Sequence, residues 1–283
     1  MSDAIAVAHG PFGRVCLYAI NRIMAPHAHR EGHLIFHVGG PAAEVVVDGQ
    51  AWPFAPGQAV AISPWQTHFY RPLVPDVPVL NLVLYIRPDW FLDVARCATA
   101  SLSFGRVGIE VTDHLGRLVL ETARAMANPD PEDGAIEERL CTLTQAAYDQ
   151  SWQWTARGAA FTGRPEAQGF ARHDFRIRKA LKLFRDDLAG LPDLDAVARE
   201  VGLSRPHFYK LFREQIGVTP NIYLNALRME QAIGALVGSD LAVADIGFDL
   251  GFSSQASFSR FFISNGVVAP SAYRRSVQVP LGA

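Results

Sequence analysis

Apolar positions change their period along the chain. Between residues 14 and 86 they fall in short runs rich in β-branched and aromatic residues, at 14–20, 33–38, 43–47, 50–54, 58–62 and 79–86. Turn-forming clusters separate these runs: Gly39-Gly40-Pro41, Asp48-Gly49, Ala55-Pro56-Gly57 and Ser63-Pro64. An Asp-Gly pair between two apolar runs predicts a two-residue hairpin. Many short strands at roughly ten-residue spacing predict a sandwich or jelly roll. A short helix is expected from Asp89, which would cap it. Further on the period becomes helical. Residues 112–127 place Leu115, Leu118, Val119, Thr122 and Met126 on one stripe. Residues 131–154 do the same with Ile136, Leu140, Leu143, Ala147, Tyr148 and Trp152. Residues 156–172 have no period and are rich in small side chains, so they read as a linker.

The C-terminal third repeats one pattern. A short amphipathic helix from Asp193 ends at Gly202, and a second helix starts at Ser204 and carries Phe208, Leu211 and Phe212 on one stripe. Gly202 suits a tight inter-helix turn, and the Ser204 side chain is expected to cap the second helix. The same helix, glycine, serine, helix order returns at Gly251, 49 residues later. Between the two units, Thr219-Pro220 opens a long helix expected from Asn221 to about Val237. A helix of roughly 17 residues spans about 25 Å. That is close to what two recognition helices need to enter successive major grooves, about 34 Å apart.

Charge supports this division. From residue 172 onward there are 14 basic and 11 acidic residues, against 12 and 17 before it. The basic excess therefore lies where phosphate contacts are expected. Three scattered cysteines, Cys16, Cys97 and Cys141, form no metal-ligand pair and suit a reducing compartment. No run of eighteen apolar residues and no basic-then-apolar start is present, so a cytoplasmic protein without a membrane partner is expected.

Residues 174–275 resemble the DNA-binding domain of AraC/XylS-family bacterial transcription regulators. The carrying residues are Gly217-Val218-Thr219-Pro220, Arg228, Gly251-Phe252-Ser253-Ser254-Gln255, Phe258-Ser259-Arg260-Phe261-Phe262 and Pro270-Ser271-Ala272-Tyr273-Arg274. The resemblance implies DNA contacts from Ser204, Arg205, Pro206, Tyr209 and Lys210 in the first unit. In the second it implies Ser254, Gln255, Ala256, Ser257 and Arg260. Three departures stand out. Pro206 cannot hydrogen-bond a base through its side chain. Gly247 replaces a usual alanine, and 265–270 lacks the usual hydroxyl cap. The second unit is therefore expected to be the less rigid and less sequence-specific.

The N-terminal region resembles the cupin that precedes this domain in many such regulators. His27-Ala28-His29 with His33 and Gly40 follows one cupin motif, with His33 where that motif has a glutamate. Pro53 to Gly57 and then Ile62 to His68 follows the other. His27, His29, His33 and His68 are candidate ligands for one divalent metal (Zn, Ni, Fe or Mn); with Trp52 and Trp65 they are also candidates to line an organic effector pocket, the commoner use of this cupin in such regulators. His37 shares the parity of His33 and is expected on the same face.

The expected architecture is α+β with two domains. Residues 1–155 would form a cupin jelly-roll barrel with trailing helices, 156–172 a linker, and 173–283 an all-α domain of two helix-turn-helix units joined by a long helix. The resemblance implies a non-enzymatic, ligand-responsive regulator, an activator, with double-stranded DNA, a small-molecule effector and RNA polymerase as partners. It also implies a homodimer formed through the helices at 112–154. The alternative is a metal-dependent cupin enzyme carrying a DNA-binding domain.

Overall fold

Strand register follows the alternation of apolar residues closely. The structure, a computed structural model, describes residues 2–95, 102–128, 136–152, 173–186, 188 and 193–277. The expected linker lies outside the described residues. The larger sheet has the order β1 (Asp3–Gly10), β2 (Gly13–Ile20), β8 (Val79–Ile86), β3 (Gly32–Gly39), β6 (Gln58–Ile62) and β9 (Gly108–Glu110). The smaller has β5 (Gln50–Phe54), β4 (Ala43–Val47) and β7 (His68–Pro72). Asp48 and Gly49 take φ of 49° and 86°, and the hairpin they close pairs Val47 with Gln50. Positive φ at both central positions is what a type I′ turn requires.

Period two sorts the larger sheet into two faces. Leu34 and Phe36 of β3 join the helical layer, whereas Ile35 faces the smaller sheet with Val45, Val47, Phe54 and Tyr70. The helical layer is α1 (Pro88–Ala95), α2 (Asp113–Ala127) and α3 (Ile136–Trp152). Thr112 caps α2 by accepting a hydrogen bond from the Leu115 amide. The apolar stripes of α2 and α3 pack on the barrel: Leu115, Val119, Met126, Leu140, Leu143 and Ala147 share one core with Val15, Leu17 and Leu84. This corrects the expectation that these stripes form a dimer contact, since their apolar area is already removed from water within one chain.

The C-terminal helices are α4 (Phe175–Asp186), α5 (Leu194–Glu200), α6 (Arg205–Ile216), α7 (Pro220–Gly238), α8 (Val243–Asp249), α9 (Gln255–Asn265) and α10 (Pro270–Ser276). Gly202 and Gly251 turn the chain at φ of 74° and 81° between the paired helices. Ser204 precedes α6 in extended conformation, but its side chain makes no capping hydrogen bond, contrary to expectation. Pro206 lacks the second-position N–H, which leaves the His207 amide as the partner open to such a cap, and that bond is not made. The second unit is the better capped: Ser254 and Ser257 bond reciprocally at the start of α9.

Gly247 is a packing requirement rather than a weak point. A Cβ there would lie 2.9 Å from the Cβ of Phe258. Gly247→Ala gains about 1 kcal/mol of helix propensity but forces α8 from α9, at an overpacking cost of about 1–3 kcal/mol. A net fall in thermal stability is expected. A melting curve showing a stabilised variant would contradict the close approach.

The two halves share apolar surface. Met229, Ile233, Phe258, Phe262 and Tyr273 lie in one cluster with Val7, Tyr18 and Val83. Val277 extends this contact by a parallel bridge to Val7.

Candidate DNA interface and histidine pocket

The first turns of α6 and α9 present most of the expected DNA-contacting residues. Arg205, Pro206 and Lys210 on α6 are exposed, as are Gln255, Ala256 and Arg260 on α9. Ser204 is exposed too, whereas Tyr209, Ser254 and Ser257 are half-buried. The Arg205 guanidinium is held by Asp195 at 3.0 Å and lies 5.5 Å over the Tyr209 ring. Tyr209 packs against Phe208. The Ser257 hydroxyl donates to the Ser254 carbonyl at 2.7 Å, so it is committed to the cap. His207 is exposed in the first turn of α6. His207 is not among the residues the family resemblance implies, and its place beside Arg205 is the one sequence signal for it.

The four candidate histidines meet although they come from different kinds of segment. His33 belongs to β3 and His68 to β7, while His27 and His29 lie on an irregular stretch between β2 and β3. His27 reaches β7 by a pair of backbone bonds with His68, at 2.9 and 2.8 Å. Ring centroids are 4.4 Å apart for His27 and His68, and 5.0 Å for His29 and His68. Tyr85 stacks on His33 at 4.4 Å and bears the Arg14 guanidinium 3.6 Å from its ring centre. Arg14 and Tyr85 were not anticipated. Arg14 shares its parity on β2 with Cys16 and Tyr18, which was the signal for an inward side chain.

Burial, reinforced by Arg14, holds His27 down at about 4, even though its bond to Ala25 acts the other way. Burial and mutual repulsion hold His29, His33 and His68 well below their ordinary range. All four rings are therefore neutral near pH 7. A carbonyl can only accept, so His27 Nδ1 donates to Ala25 O at 2.7 Å and His68 Nδ1 donates to Gln66 O at 2.9 Å. Both Nε2 atoms then carry lone pairs. His68 Nε2 accepts from His33 Nδ1 at 3.1 Å. His29 Nε2 and His33 Nε2 are buried without a partner.

This donor set fits a divalent metal. Ligand nitrogens of His27, His29 and His68 lie within 4.8 Å of one another. Three nitrogens about 2.0–2.1 Å from one zinc would sit roughly 3.3 Å apart, which requires a closure of the order of 1 Å. Such an ion would supply a positive charge and a cross-link between β7 and the segment before β3.

One expected pocket residue is elsewhere: Trp52 packs over Gly108 and does not line the histidine pocket. His37 does share the face of His33, with its ring against Phe54 of the inner core and its Nε2 3.2 Å from Pro41 O, but it stands four residues further along β3 and outside the histidine cluster. Trp65 does line the pocket. It stacks on Tyr223 of α7 at 4.9 Å, donates its backbone N–H to His29 O at 2.8 Å, and takes φ of 64°. Asn225, Met229 and Glu230 of α7 and Phe262 of α9 complete the outer wall. The pocket thus lies between the barrel and the helical domain.

Comparison with known proteins agrees with this division. Residues 13–144 match the family described as the AraC-like ligand binding domain, and residues 197–276 match a helix-turn-helix domain. The HTH-type transcriptional activator RhaS of Escherichia coli O139:H28 is 27% identical over 84% of this chain and 83% of its own. The regulatory protein PocR of Salmonella typhimurium is 36% identical over 39% of this chain and 36% of its own length. Among solved structures, an apo variant of ToxT from Vibrio cholerae has the same fold, with a TM-score of 0.58 and 16% identity over 96% of this chain and 99% of its own. No described helix is long and apolar enough to cross a membrane.

Proposed function

Because the chain belongs to the AraC family of transcription regulators, we propose that it couples a small-molecule signal in the interdomain pocket to DNA binding by α6 and α9. The observation that carries this reading is the shared lining of the pocket. A ligand touching His29 on one side and Asn225 or Glu230 on the other makes different contacts when the domains are docked and when they are apart. That difference in affinity is what any ligand-driven switch requires. It also separates this reading from a cupin enzyme. A catalytic metal keeps an open position facing substrate, whereas here helices of the DNA-binding domain form the outer wall.

Arg205, Lys210, Gln255 and Arg260 are the side chains we assign to DNA. The Arg205–Asp195 contact must open or turn for Arg205 to reach a base. An activating role, contact with RNA polymerase, a cytoplasmic setting and a homodimer remain part of this proposal by family likeness. A dimer would use surfaces other than the buried parts of the α2 and α3 stripes, for example around the exposed Leu120 of α2.

Selection of bound sequences from a random DNA pool tests the function directly. The expected product is a bipartite site, with two segments about 10–10.5 base pairs apart. The segment read by α9 is expected to tolerate more base changes, since Ala256 and Ser257 offer it little hydrogen bonding. Failure to enrich any sequence would overturn the regulator reading; a more stringent α9 segment would reverse the assignment of the two units.

A further inference from the structure

Residues 21–31 run from β2 to β3 as a strap with two working sides. On the inner side stand His27 and His29. On the outer side the strap holds the helical domain at four places. Arg22 Nη2 donates to Ile263 O at 2.8 Å and to Val267 O at 2.6 Å. The Ala25 amide donates to Ser264 O at 3.2 Å. Ala28 is buried in the core that contains Phe184 and Phe208, and Arg30 pairs with Glu230 of α7 at 3.4 Å. Ile263 and Ser264 belong to the last turn of α9, whose carbonyls have no partner within the helix. The strap therefore caps the second DNA-reading helix from the barrel side.

We propose that His27, His29 and His68 form a site for a divalent transition metal of the zinc, copper, nickel or cobalt class, and that the strap transmits its occupancy to α9. This inference rests on the regulator reading above and names the ligand and route for the same pocket. Three neutral nitrogens without a carboxylate favour those ions over magnesium, calcium or manganese. The Nδ1–H groups of His27 and His68 are already held by backbone carbonyls, which fixes each ring and aims its Nε2 inward; metal-bound histidines are held in the same way. The buried, unpartnered His29 Nε2 is the third donor, and a nitrogen left so is costly without a ligand. Binding replaces the His33–His68 hydrogen bond and draws His27 and His29 toward β7. The strap must follow, and Arg22 and Ala25 move with it against the end of α9.

The test uses the full chain, stripped with chelator and titrated with cobalt(II). Visible d–d bands are expected to saturate at one equivalent and to vanish on adding zinc. The double variant His27→Gln, His29→Gln is expected to lose the bands while keeping the far-UV spectrum of the parent. His37→Gln, outside the histidine cluster, is expected to keep them. Affinity for the selected DNA is then measured with and without metal. A change of about 5-fold or more is expected for the parent, and none for Arg22→Ala, which still gives the cobalt bands. Absence of bands at stoichiometric cobalt overturns the metal site. An unchanged metal response in Arg22→Ala overturns the strap. If the protein selects no DNA whether or not metal is bound, the regulator reading itself fails, and the spectra decide the metal site independently.

Discussion

Arg260→Ala is expected to weaken binding to the selected DNA by about 5- to 150-fold, corresponding to about 1–3 kcal/mol. Arg260 stands at the middle of α9, within a long side chain's reach of the base edges that the start of a recognition helix meets. Its side chain is exposed, and no ion pair among the described residues restrains it. Arg205 differs, since Asp195 already holds it at 3.0 Å and its gain on binding is reduced by that loss. The loss at Arg260 should fall on one base pair: repeating the selection with the variant should relax a single position and leave the rest intact. A uniform loss across sequences, with a salt dependence weaker by about one unit, would reassign Arg260 to a phosphate.

Phe258→Ala is expected to cost about 3–5 kcal/mol, against a total stability of the order of 5–15 kcal/mol for a domain. The ring is fully buried and meets Phe252 and Phe262 at 5.5 and 6.0 Å. It also lies in the cluster that joins α9 to the barrel. The cavity therefore opens where α8, α9 and the interdomain core converge. Calorimetry should show the helical domain melting well before the barrel. A melting temperature within a degree of the parent would mean that α9 is not continuous with the interdomain core.

Much of the fold was legible because it is local. The runs at 43–47, 50–54, 58–62 and 79–86 coincide with strands, since each is bounded by turn chemistry and alternates on a pleat. β1 was not read because its alternation is carried largely by alanine, a weak signal of a buried face. β7 was hidden inside a motif reading of His68. The helix-turn-helix units were legible twice over, from glycines whose turns appear at positive φ and from the phenylalanine stripes. The four histidines were legible as a set from the motif resemblance, but their geometry was not: His27 and His29 come in on a loop that backbone bonds pin to β7, which no periodicity marks. The interdomain wall was not legible at all. Met229 and Ile233 look like any buried face of a long helix, and nothing in their period names the surface they meet. The same limit misplaced the stripes of α2 and α3, which are equally consistent with covering a barrel or a second chain.

Trp65 carries a last consequence. A bulky side chain held at φ of 64° costs about 1–3 kcal/mol, and its stack on Tyr223 persists only while the domains stay docked. The strain itself belongs to the barrel, because Trp65 sits in a turn closed by the Gln66 N–H on Ser63 O at 3.1 Å and donates its own N–H to His29 O at 2.8 Å. The turn therefore presents the indole to α7 whether or not the domains are docked. Docking then has little freedom of this ring to freeze, and undocking leaves an apolar face ready to be covered again.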